Sequence, residues 1–127
     1  MKCLLRINRE GSFIVTSEQE HPQQCGKIGQ QNYRYFVTIE ATNSKLTKEG
    51  YVMENLWVDQ YFQSEYGSAT GIVQSVDSCE SMAQKAIKHF HAKFYSKGAP
   101  CKGINVIRIL VRIYGTDVSF IEAEWKK

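Results

Sequence analysis

The stretch Tyr33-Arg34-Tyr35-Phe36-Val37-Thr38-Ile39-Glu40-Ala41 decides the reading of this chain. Its residues are mostly aromatic or β-branched, the types that fit a pleated, half-buried surface. Side chains of a strand alternate between faces, so Tyr33, Tyr35, Val37 and Ile39 share one side. Arg34, Thr38 and Glu40 fall on the other. Such a strand packs one face on a core and leaves the other open, as antiparallel sheets do.

Upstream of it, Lys2 to Asn8 predicts a strand, Arg9-Glu10-Gly11-Ser12 a turn, and Ser12 to Thr16 a second short strand. Ser17 to Gln31 is polar, carries Pro22, Gly26 and Gly29, and predicts a long loop. Structureless stretches of that length in a small domain tend to be functional. Downstream, Thr42 to Gly50 is a polar turn, Gly50-Tyr51-Val52-Met53 a short strand, and Asn55 to Gln63 a short helix. Ser64 to Asp77, with Gly67, Ser68 and Gly71, reads as a loop around Ile72-Val73. It has neither the lysine of a phosphate-binding loop nor the spacing of a dinucleotide fingerprint.

The clearest helix comes next. Asp77 or Ser78 caps it, and Glu80 sits in its first turn, where a carboxylate is favoured. Met82, Ala83, Ala86, Ile87, Phe90 and Phe94 recur at steps of three and four and make one apolar face. The helix is expected to stop by Gly98, with Pro100 just beyond. Ile104 to Tyr114, a turn at Gly115-Thr116-Asp117, and Val118 to Trp125 then form a hairpin. The order β, β, α, α, β, β predicts an α+β fold with helices on one face of an antiparallel sheet. Residues 1–127 are expected to be one domain.

Composition agrees and excludes several classes. Ile and Val number 20 against 5 Leu, which favours strands over a helical bundle. Hydrophobic residues at 43% and charged residues at 23% exclude intrinsic disorder. Apolar runs are too short for a spanning helix, and Arg6 and Asn8 break any secretory core. A cytoplasmic protein with no membrane partner is the expectation. The net charge of +3 does not by itself argue for nucleic acid.

Candidate chemistry is sparse. Cys3, Cys25, Cys79 and Cys101 include no C-x-x-C pair, so they read as free thiols and not as a zinc knuckle. His89 and His91 stand two apart on a helix and point to different faces. His21 stands alone beside Pro22. All three histidines read as surface residues, and no metal site is predicted. Lys85, Lys88, Lys93, Lys97 and Lys102 form a basic stripe that could meet protein or RNA. Tyr33 offers a ring for stacking, and Glu80 a carboxylate for ring N–H donors.

Several strings resemble the tunnelling-fold family of 6-pyruvoyl and 6-carboxytetrahydropterin synthases. Cys25-Gly26-Lys27-Ile28-Gly29-Gln30-Gln31-Asn32-Tyr33 is similar to the family's C-G-R-L-H-G-H-N-Y, and a strand follows both. Gly50-Tyr51-Val52-Met53-Glu54-Asn55 stands where the family has G-x-V/I-x-D-F. Asp77-Ser78-Cys79-Glu80 resembles the P-T-x-E that opens the family's long helix. The resemblance spans nearly the whole chain. It implies a tunnelling fold: a four-stranded antiparallel sheet with two helices on one face, assembled as a ring-like homo-oligomer. It also implies a pocket between subunits for a planar pterin- or purine-like heterocycle, with Glu80, Ser78, Glu54, Tyr33 and Glu122 as ligand-binding candidates.

The departures concern chemistry. The family's three zinc histidines fall, counted without gaps, on Gly11, Gly29 and Gln31. Glycine offers no donor and a glutamine carbonyl is a poor zinc ligand. The family's L-D-H element has no match between Gln63 and Asp77. Its pterin-anchoring E-T pair falls near Ile113-Tyr114, so Glu122 substitutes only in a different register. Cys25 takes the place of the family's catalytic thiol, without a metal or histidine to activate it. The expectation is a binding relative that has lost the zinc chemistry and needs no cofactor. The alternatives are a divergent synthase using Cys25 with Glu54 or Glu80, or an interaction module using the basic helix face.

Overall fold

A computed structural model describes residues 3–22, 24, 26–42, 45–67, 71–73, 76–115 and 119–127. Four strands and two helices follow in the expected order: β1 (Leu4–Ser17), β2 (Gly29–Thr42), α1 (Leu56–Tyr66), α2 (Cys79–Tyr95), β3 (Val106–Tyr114) and β4 (Phe120–Lys126). The sheet is antiparallel, in the order β1-β2-β3-β4. Neither helix is long and apolar enough to cross a membrane.

β1 corrects the sequence reading. The expected turn at Arg9–Ser12 is absent; β1 pairs with β2 without interruption from Leu4↔Thr42 to Ser17↔Gly29. Gly11 lies opposite Tyr35, and a Cβ on it would meet Tyr35 Oη at 2.3 Å and Cζ at 2.6 Å. Glycine is there to admit the tyrosine ring, not to turn the chain. The expected long loop is also shorter and more ordered than its composition suggests. His21 N–H donates to Lys27 O (2.9 Å), Gln24 N–H to His21 O (3.1 Å) and Lys27 N–H to Gln24 O (3.2 Å).

The expected strand at Gly50–Met53 does not form. Instead the chain folds on Thr47: Tyr51 N–H donates to Thr47 Oγ1 (2.9 Å) and Thr47 N–H to Tyr51 O (2.7 Å). That turn drops Val52 and Met53 into the core. The helices come out near their expected places. Ser78 caps α2 by accepting from Ser81 N–H (3.2 Å), and at the other end Ser96 N–H reaches Ala92 O. The two strands of the closing hairpin pair from Arg108↔Lys126 to Tyr114↔Phe120; Thr116 and Asp117 of its predicted turn and Val118 of its second predicted strand lie outside the described residues.

The core lies between one sheet face and the helices. Phe13, Tyr33, Tyr35, Val37 and Ile39 from β1 and β2 meet Val58 and Phe62 of α1 and Met82, Ala86, Phe90 and Phe94 of α2. α1 packs on β1, and α2 lies across β3 and β4. Tyr35 and Phe62 stack at 4.2 Å, at the centre of a chain of rings running from Tyr33 to Phe90. No described element covers the other sheet face. A ladder of charge crosses it: Arg6 and Arg108 both bond the Glu40 carboxylate, Arg108 also bonds Glu124, and Arg112 bonds Glu122.

Candidate functional site

The loop end of the β1–β2 hairpin holds two of the positions that the synthase resemblance singles out. Gly29 lies opposite Ser17, and Gln31 opposite Val15. Gly11 is far from both. Its partner Tyr35 is four residues along β2 from Gln31 and six from Gly29, about 14 and 20 Å at strand spacing. Gly11 therefore shares no site with Gln31 and Gly29 within one chain. Val15 and Ser17, both buried, are the β1 residues beside Gln31 and Gly29. The side chains of these four positions are one amide, one hydroxyl and apolar carbon.

A histidine does occupy this end, and it is His21. Its expected surface placement is wrong: it is fully buried. Nε2 lies 2.8 Å from Gly29 O, and Nδ1 lies 3.0 Å from Tyr33 Oη. A carbonyl only accepts, so Nε2 carries the hydrogen, and in the neutral ring Nδ1 accepts the Tyr33 hydroxyl. Gln24, also fully buried, donates from Nε2 to Asn32 O (2.9 Å). Burial pushes the Tyr33 hydroxyl well above the usual tyrosine range, so it stays protonated and remains a donor. The loop thus pins itself to β2 through side chains that bond protein, and both His21 nitrogens are engaged.

A second cluster joins the sheet to α1. Arg9 Nε donates to Asp59 Oδ2 at 3.1 Å and Oδ1 at 3.3 Å, its Nη2 bonds the same carboxylate, and the Tyr35 hydroxyl donates to Asp59 Oδ1. Burial works to raise the Asp59 carboxyl, but the hydrogen bonds from Arg9 and Tyr35 and the guanidinium charge outweigh it and hold it low. Gln63 Nε2 adds a bond to Ser12 O (3.0 Å) one turn along.

The residues proposed as ligand-binding do not converge within one chain. Tyr33 is buried against Phe13, with ring centroids 5.5 Å apart. Ser78 caps α2 and Glu80 is exposed in its first turn. Glu54 is exposed ahead of α1, where its carbonyl accepts from Trp57 N–H. Glu122 is paired with Arg112 on the uncovered sheet face, its Oε1 2.7 Å from Arg112 Nε. Cys25 lies outside the described residues. Of the other thiols, Cys79 and Cys101 are buried and Cys3 is exposed.

No family model matches the sequence, and no curated protein matches it either. Solved structures do. The crystal structure of 6-pyruvoyl tetrahydropterin synthase from Plasmodium vivax superposes with a TM-score of 0.63, covering 98% of this chain and 99% of that one at 9% identity. The chain has the fold of the 6-pyruvoyl tetrahydropterin synthases. A form of the same Plasmodium vivax enzyme with a catalytic glutamate changed to alanine gives a TM-score of 0.62 with the same coverage and identity. The sheet with its two helices on one face is therefore a tunnelling fold. At 9% identity the likeness concerns the backbone, and chemistry must be argued from side chains.

Those side chains do not fit the zinc that the resemblance implies. Structural and catalytic zinc sites need three or four nitrogen, sulfur or carboxylate donors. Gly29, Gln31, Val15 and Ser17 supply none, and the His21 nitrogens are taken by Tyr33 and Gly29. Among the described residues no three His, Cys, Asp or Glu side chains gather to hold a metal ion. Sequence reasoning noted the missing histidines but not the burial of His21 or its bonds to Tyr33 and Gly29. The available signal was His21 itself, the one histidine within the loop that leads into β2.

Proposed function

We propose that this chain is a zinc-independent relative of the 6-pyruvoyl tetrahydropterin synthases that binds a planar pterin- or purine-like heterocycle and does not turn it over. On this reading it is a single-domain, cytoplasmic protein assembled as a ring-like homo-oligomer. The observation that carries the proposal is the filled hairpin end: protein hydrogen bonds to His21 stand where a metal's ligands would be needed. The assembly is supported by the two sheet edges. β1 and β4 each have one strand neighbour, apart from a single bridge from Val73 to Ser17 at one end of β1, and an unpaired edge is a template for pairing with another chain. Closing a sheet through identical copies removes both edges.

In such a ring Glu80 and Ser78 of one subunit would approach the β1–β2 end of the next, and the Glu80 carboxylate would accept from ring N–H groups. Negative charge is favoured in the first turn of a helix, where Glu80 lies. Native mass spectrometry of the purified protein tests the proposal. The expected spectrum shows several subunits, no stoichiometric zinc, and a heterocycle released on denaturation. A monomer, or stoichiometric zinc that a chelator removes with loss of the bound molecule, would overturn it.

A further inference from the structure

A separate feature lies on the helix side of the molecule, away from the sheet edges. α1 and α2 leave a cleft of about 360 Å³ between them. Trp57, Tyr61 and Glu65 line it from α1, at four-residue steps that put them on one stripe. His89 and Lys93 line it from α2, also one turn apart. The helices face each other in opposite senses: His89 stacks on Tyr61 with ring centroids 4.3 Å apart, and the Lys93 ammonium sits 5.1 Å from the centre of the Trp57 ring.

That pairing orders the cleft. Lys93 and Trp57 are at one end, Tyr61 and His89 in the middle, and Glu65 at the other end. From Trp57 to Glu65 is eight residues, about 12 Å along the helix axis. The two charges are thus held apart, and among the described residues neither Lys93 nor Glu65 makes an ion pair. The neighbouring Lys85 is bound to Asp77 (2.7 Å) and is not aimed at Glu65. Among the described residues neither His89 ring nitrogen has a hydrogen-bond partner, although the ring is half-buried. Burial, and then the nearby Lys93, lower its pKa, so it presents a neutral edge with one donor and one acceptor.

Packing two amphipathic helices does not require this arrangement. Opposite charges at the two ends, flat rings between them and an imidazole with unused nitrogens together describe a shape and a polarity. We propose that the α1–α2 cleft is a binding site for a small, flat aromatic molecule with an anionic group at one end and an ammonium group at the other. The anion meets Lys93, the ammonium meets Glu65, and the ring lies against Tyr61 and His89. The proposal is independent of the zinc-free reading, since none of these residues belongs to the hairpin end.

The test uses 4-(aminomethyl)benzoate, which carries both charges across a benzene ring, with benzoate and benzylamine as one-ended controls. Each is titrated into the full-length protein and followed by amide, histidine-ring and indole NMR signals. The expected result is saturable shifts at α1, α2, the His89 ring and the Trp57 indole, with at least tenfold weaker binding of either control. Lys93→Gln should reduce binding of 4-(aminomethyl)benzoate and of benzoate but not of benzylamine, and Glu65→Gln the reverse. Equal affinity for all three compounds, shifts elsewhere on the surface, or no saturable shift would overturn the proposal. The comparison of the three compounds on the unaltered protein decides it even if a variant fails to fold.

Discussion

Replacing Gly11 by alanine should cost far more than a surface glycine in a strand normally does. The added Cβ would stand 2.3 Å from Tyr35 Oη and 2.6 Å from Cζ, well inside any real carbon contact. The ring cannot yield cheaply. Its hydroxyl is tied to Asp59, and its face is stacked on Phe62 at 4.2 Å. Moving it loses a hydrogen bond to a charged acceptor, about 1.5–3 kcal/mol. It also loses part of an aromatic stack worth about 0.5–1.5 kcal/mol. The backbone entropy gained on replacing glycine returns only about 0.5–1 kcal/mol. A net destabilisation of about 1–4 kcal/mol follows from these terms. Urea unfolding followed by circular dichroism, at one fixed protomer concentration, measures it. The mechanism is tested by the cycle with Tyr35→Phe, which frees the ring from Asp59. Gly11→Ala should then cost at least about 1 kcal/mol less than in the parent, a coupling typical of residues in contact. Parental stability for Gly11→Ala, or strict additivity in the cycle, would refute the steric argument and restore the turn that the local sequence suggests.

Three further outcomes are expected. Stability should fall as pH drops below about 4.5, because Asp59 and Glu40 are held below their usual values by arginine partners, despite burial. Carboxyls with depressed folded pKa values contribute stability that is present above the unfolded value and lost on protonation. Asp59→Asn and Glu40→Gln should each flatten the slope of an acid-unfolding series, and an unchanged slope would count against these pairs. The His89 ring, followed by NMR, should titrate below the ordinary histidine value of 6.5. It should move up in Lys93→Gln and down in Glu65→Gln. Because its folded value is depressed, folding loses stability as pH falls below the unfolded value. His21→Ala should cost about 2–5 kcal/mol in thermal or urea unfolding, since it opens a buried space and strands Gly29 O and Tyr33 Oη. Excess chelator should leave the parent's stability unchanged, whereas a matching loss on chelation would make His21 a metal ligand.

The parts of the fold legible in the sequence are those set by local periodicity. Alternation placed Tyr33, Tyr35, Val37 and Ile39 on the core face of β2, where all four are buried. The three-and-four spacing of Met82, Ala86, Phe90 and Phe94 marked the buried face of α2. What failed was decided by contacts distant in sequence. Arg-Glu-Gly-Ser has the composition of a turn, and only Tyr35, 24 residues on, explains why Gly11 sits inside a strand. A histidine beside a proline in a polar loop reads as exposed, and only the hairpin register brings His21 to Gly29 and Tyr33. The α1–α2 cleft was hidden for the same reason. Trp57, Glu65, His89 and Lys93 each look ordinary on their own helix, and their meaning depends on how the two helices lie against each other.

The same distinction explains how the fold of the pterin synthases persists here at 9% identity. The sheet's register and its core are fixed by β-branched and aromatic side chains along the full length of four strands. None of that burial involves Gly29 or Gln31, which sit at one end of one hairpin. Side chains at such a place can differ while the fold still closes. Polar groups remain to be satisfied: a loop end in the core has a carbonyl and a phenol that must find partners. His21 meets both needs with its two nitrogens. The satisfaction is incomplete: Gln24 Oε1, buried in the same loop, has no hydrogen-bond partner among the described residues. The bonded imidazole nonetheless ties the loop to β2 through protein hydrogen bonds alone, since each of its two nitrogens has a protein partner.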